Sequence, residues 1–157
     1  MDPVTVKYLH VLSSTVLFGT GVGSAYYLFV TSWSRDVHAI ASITRHVVIA
    51  DWLFTGSTVV IQPLTGFYLA HRLGIPLGTP WLYWSLVLYA IAVPLWFAAV
   101  WLQMKLRDVA RAAHAAGTEL PPRYAGYLGA WTAVGVLAFV AFLSIFYLMV
   151  AKRLPFA

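Results

Sequence analysis

Four apolar stretches, at residues 4–33, 47–70, 81–103 and 124–150, occupy most of this 157-residue chain. Each reaches the ~20 residues that an α-helix needs to cross a bilayer. With 61% hydrophobic and 10% charged residues and a mean hydropathy of +0.80, polar surface is too scarce to coat a water-soluble globule. The expected fold class is all-α, a membrane-embedded four-helix bundle forming one domain over residues 1–157. The first stretch is long, contains His10 and offers no convincing small-residue cleavage site, so it reads as a retained helix.

The second helix, expected over residues 45–72 (RHVVIADWLFTGSTVVIQPLTGFYLAHR), organises the rest. At about 100° per residue, Thr55, Thr58, Gln62 and Thr65 all fall within about 40° of Asp51, to one side or the other, a narrow polar stripe on an otherwise mostly apolar surface. A carboxyl inside hydrocarbon costs at least ~2.5 kcal/mol, so the stripe must face protein or water, and Asp51 needs a partner or a proton. Asp51 lies about 7 Å inside the loop-rich face by the helical rise, within reach of an arginine snorkelling from Arg45 or Arg123. A structural ion pair is one reading. The other is a ligand or proton-relay site formed by Asp51, Arg45, Gln62 and Arg123. Pro63 lacks an N–H, which predicts a local irregularity at Gln62 and Pro63.

Without cysteine, the chain has no disulfide, thiolate catalyst, iron–sulfur cluster or covalently attached haem, and any metal depends on histidine or other ligands. His10, about two turns inside the first helix, reads either as a histidine hydrogen-bonded to a neighbouring helix or as an axial ligand to b-type haem. It shares a helix face with Ser14, Leu17, Gly21, Ser24 and Leu28, whose small members admit a neighbouring helix or a flat cofactor. The Gly19-Thr-Gly-Val-Gly23 run has no preceding strand, so it reads as helix packing and not as a nucleotide loop. His71 lies on the same membrane side as His10, yet it projects roughly 160° from the Asp51 stripe and would serve as a second ligand only if Pro63 turned it inward. Arg72, nearer the stripe, suits a haem propionate or a lipid phosphate. His38, His46 and His114 fall in or beside the opposite loops.

Residues 34–44 read as a short polar connection. Helix three presents Ser85, Tyr89, Ala92, Trp96, Ala99 and Gln103 on one face, with Tyr89 and Trp96 as pocket or packing residues, and its end is expected to run past the membrane surface to Gly117. Helix four carries Tyr124, Tyr127, Trp131, Gly135, Ala138 and Phe142 on one face. The formal charge of +5 and pI near 9.7 come from residues flanking the membrane segments, which points to lipid headgroups and away from nucleic acid. Arg35, Arg45, Lys105, Arg107, Arg111 and Arg123 on one face against Lys7, Arg72, Lys152 and Arg153 on the other predict external termini. No Ser-His-Asp set, paired catalytic carboxylates or phosphate loop is present.

Three places together resemble small four-helix membrane proteins of the HemJ and CopD type: V-K-Y-L-H at residues 6–10, P-W-L at 80–82, and P-P-R-Y at 121–124 with Y-L-M-V-A-K at 147–152. The strings R-H-V-V-I-A-D-W-L-F-T and Q-P-L-T-G are more similar still to an uncharacterised bacterial group, the domain-of-unknown-function family 2269, over nearly the whole chain. HemJ-type proteins are haem-b-binding protoporphyrinogen oxidases with a histidine near the start of helix one and a functional lysine early in helix three. His10 matches that histidine, whereas the lysine position falls at or near Ser85. The resemblance therefore extends to haem and a hydrophobic oxidoreductase function, not to the oxidase step.

The expectation is an integral protein of a bacterial cytoplasmic membrane that binds haem b through His10, with His71, Arg72, Ser14 and Gly21 around the cofactor, and acts in electron transfer or oxidation of a hydrophobic substrate. Partners would be the bilayer, a quinone, a porphyrin or a redox protein, and a homo-oligomer is compatible. The alternative is a haem-free accessory or carrier protein that holds a lipid-like or quinone-like ligand along the Asp51 stripe.

Overall fold

The computed structural model describes residues 2–154. Four helices run up, down, up and down: α1 (Pro3–Trp33), α2 (Val37–Arg72), α3 (Pro80–Ala116) and α4 (Arg123–Ala151). α2, α3 and α4 are long and apolar enough to cross a membrane. α1 has the length, at 31 residues, but its serines, threonines, glycines and tyrosines dilute its apolar character. Large side chains such as Tyr26, Leu53, Leu64, Leu137 and Val150 stand exposed around the bundle, as a lipid-facing surface requires.

Local chemistry sets the ends. The Asp2 carboxylate accepts the Thr5 N–H at 3.1 Å, and Pro3 opens α1 where its missing N–H costs nothing. Asp36 Oδ1 accepts the N–H groups of His38 and Ala39 at 3.0 and 3.1 Å, so α2 starts at Val37. The polar connection expected over residues 34–44 is thus mostly helix, because this aspartate caps it. Gly117, at φ 64°, closes α3 in the left-handed conformation, as its position past the amphipathic run predicts.

Within α2, Asp51–Thr55 form a wider turn in which the Gly56 N–H reaches the Asp51 carbonyl, five residues back. The irregularity expected at Gln62 and Pro63 lies here instead. At Pro63 the helix continues, and the Val59 carbonyl, which loses its donor to proline, accepts a hydrogen bond from the Tyr89 hydroxyl of α3.

The helices associate as two pairs. The second half of α2 lies along α1, and α3 lies along α4, while the first half of α2 packs on α3 and joins the pairs. Leu28, Ile40, Val47, Leu102, Leu106, Tyr124 and Trp131 form a continuous core at that joined end. The end that carries both termini is held by aromatic side chains: Phe18 of α1 meets Phe139 and Phe146 of α4 edge-on, with ring centroids 6.2 and 5.3 Å apart. Large rings between pairs whose backbones stay apart leave space at this end.

Candidate functional site

That space is a cavity of about 340 Å³ bounded by all four helices. Its walls are largely apolar, with Leu17, Phe18, Phe67, Leu86, Phe142 and Ile145 among them. Its volume falls within the range of about 300–1,000 Å³ typical of small-molecule sites. The polar side chains on the wall are few: His10, Ser14, Gln62, Ser85, Tyr89, Lys7 and Lys152, with the indole of Trp81.

His10 is fixed by the α2 stripe. Its Nδ1 lies 2.7 Å from Thr65 Oγ1. The Thr65 hydroxyl directs its single hydrogen to the Ile61 carbonyl at 2.6 Å. Nδ1–H therefore donates to Thr65, which leaves the imidazole lone pair on Nε2. No protein hydrogen bond to Nε2 occurs among the described residues. One helical turn earlier in α2, Gln62 Nε2 donates to the His10 carbonyl at 2.8 Å and to Ser13 Oγ at 2.6 Å, pinning the α1 backbone. Gly66 lies against the ring, where a Cβ would sit 3.5 Å from His10 Cε1. The stripe therefore faces protein along its whole length, with Asp51, Thr55 and Thr58 buried and Gln62 and Thr65 half-buried.

The other sequence candidates divide. Ser14 lines the cavity, although its hydroxyl is turned to the Val11 carbonyl at 2.7 Å. Gly21 is exposed, and a Cβ added there would meet nothing within 4 Å, as would one at Gly19 or Gly23. The run is helical, as expected, but its glycines make no close approach to another helix. His71 and Arg72 are exposed and line no part of the cavity, since α2 stays helical through Pro63 and nothing turns its end inward. Trp96 is buried against Trp52 at a centroid distance of 5.9 Å, away from the cavity, whereas Tyr89 lines it.

Asp51 has no arginine partner. Among the described residues the one ion pair joins Arg107 and Asp108. Arg45 is six residues from Asp51, which rotates it to another face, and both Arg45 and Arg123 are exposed. Thr55 Oγ1 donates to Asp51 Oδ1 at 3.0 Å instead, and the Gln103 side chain of α3 lies beside the carboxyl. No group of three or more His, Cys, Asp or Glu that could hold a metal ion occurs among the described residues, so any metal here would rest on His10 with ligands of other kinds.

Two cavity residues, Lys7 and Lys152, were not among the candidates. Lys7, His10 and Ser14 follow the i, i+3, i+7 spacing of one helix face, a signal available in the sequence. Lys152 belongs to the site only because α4 ends beside the start of α1, which spacing does not reveal.

No curated protein and no solved structure matches the chain. A family model described as predicted integral membrane protein, domain of unknown function 2269, matches residues 4–153. With that match spanning almost its entire length, the chain belongs to this family of integral membrane proteins.

Proposed function

We propose that the protein binds b-type haem in the cavity between the helix pairs through His10 Nε2, and serves electron transfer or oxidation of a hydrophobic substrate in a bacterial cytoplasmic membrane. One observation carries this reading: an imidazole whose Nδ1–H is engaged by Thr65 offers the Nε2 lone pair at the wall of an apolar cavity. A ligating histidine commonly donates its other ring N–H to an oxygen, which fixes the ring and raises its basicity. Haem would supply one-electron chemistry there. The chain's own residues orient the ligand and exclude water: Thr65 sets the tautomer, Gln62 holds the α1 backbone, and the phenylalanines close the walls. His71 and Arg72 have no part in this arrangement.

The test is the visible spectrum of detergent-purified protein before and after reduction. A Soret band with sharp reduced α and β bands is expected. His10→Ala should abolish it without preventing membrane insertion, while His38→Ala, His71→Ala and His114→Ala leave it unchanged. An intact spectrum and haem stoichiometry in His10→Ala would sink the assignment. The second reading, a haem-free carrier of a lipid-like or quinone-like molecule, is favoured by the predominance of apolar side chains on the wall. It predicts colourless protein that co-purifies with such a molecule.

A further inference from the structure

The cavity lies at the end of the bundle that carries both termini, and two cations from different helices line it there: Lys7 of α1 and Lys152 at the end of α4. Neither is in an ion pair among the described residues. The chain's five acids do not supply counter-ions: Asp2 and Asp36 cap α1 and α2, Asp51 is bonded by Thr55, Asp108 pairs with Arg107, and Glu119 lies in the connection at the far end. Lys152 also adopts φ 51°, a left-handed conformation usually left to glycine, at the residue that terminates α4. Snorkelling to the lipid interface accounts for basic residues at helix ends in general. Arg72 and Arg153 on the same side fit that description, since they line no part of the cavity, whereas the two lysines do.

We infer that the cavity takes a hydrophobic carboxylate, with its apolar body between the helix pairs and its carboxylate between Lys7 and Lys152. Both lysines are exposed, and their strongly hydrated ammonium groups stay charged at such a wet mouth and attract a carboxylate without fixing its orientation. This inference rests on the cavity being a ligand site, and it covers haem, whose edge bears carboxylates, together with single-chain acids.

The probes are a long-chain fatty acid and its methyl ester, and haem and its dimethyl ester, titrated into full-length protein in nanodiscs of zwitterionic lipid. Wild type should bind each acid at least about tenfold more tightly than its ester, given roughly fivefold for each basic residue at a membrane surface. Lys7→Gln and Lys152→Gln should each remove about fivefold of the preference, and the double variant should erase it. Ester binding should not change, which shows that the variants are folded, and Arg72→Gln and Arg153→Gln should match wild type. Added salt should shrink the preference. Equal affinity for acid and ester in wild type, or a preference that survives the double substitution, overturns the inference. Preferential binding of the fatty acid without haem binding overturns the haem proposal and leaves this one standing. Failure of all four probes to bind removes both.

Discussion

His10 is held by two residues of α2, Thr65 at its ring and Gln62 at its carbonyl, and this arrangement makes its chemistry testable one atom at a time. Thr65→Val removes the acceptor for Nδ1–H while keeping the shape of the side chain. Haem affinity, measured by titration of haem-free protein, should fall roughly 10- to 100-fold, and Thr65→Ser should restore most of it. Asp51 belongs to the same scale. Asp51→Asn keeps an oxygen for the Thr55 hydroxyl and should leave the unfolding midpoint in mixed micelles close to wild type. Asp51→Leu strands that hydroxyl in a buried position and should cost about 1–3 kcal/mol. A fully stable Asp51→Leu would remove the stripe from its organising role. That the stripe turns inward was legible, because hydroxyls, an amide and a carboxyl at helical spacing have nowhere else to go in a bilayer. Its partners were not. Thr65 and His10 lie 55 residues apart, and the periodicity of one helix does not say which helix sits opposite.

At the scale of the element, α2 departs from regularity where its sequence gives no instruction and stays regular where its sequence contains a proline. Pro63 deprives the Val59 carbonyl of a donor, and Tyr89 supplies one from α3. Tyr89→Phe should therefore destabilise the protein by about 1 kcal/mol. Pro63→Ala restores the backbone donor, so in that background the tyrosine substitution should have little effect. A double-mutant cycle in mixed micelles measures the coupling, and additive losses would show that the two residues act independently. The wide turn at Asp51–Thr55 has no such residue to announce it. The early start of α2 was announced, by an aspartate in the capping position, but neighbouring Arg35 and His38 gave that segment the polarity of a loop.

For the whole molecule, the number and length of the helices follow from four apolar runs, while the pairing that opens the cavity depends on where large rings meet between helices and is not written in any one run. Orientation rests on charge: the basic excess on the two loops opposite the termini predicts that those loops face the cytoplasm. A reporter fused after Ala157 should be active outside the cytoplasm only, and cytoplasmic activity would reverse the assignment of faces. The packing is lopsided. Leu106 and Ala110 are wholly buried at one end, and a cavity occupies the other. The tight end can therefore act as the fulcrum of a clothes-peg. Between Ala99, at the edge of that core, and Pro80, α3 extends about 28 Å beyond it, so a tilt of a few degrees at the fulcrum would shift the far end by more than an ångström without unpacking the core. Under the ligand readings proposed above, such jaws would fit guests of different thickness, with the firmness of the grip set by side chains that never touch the guest.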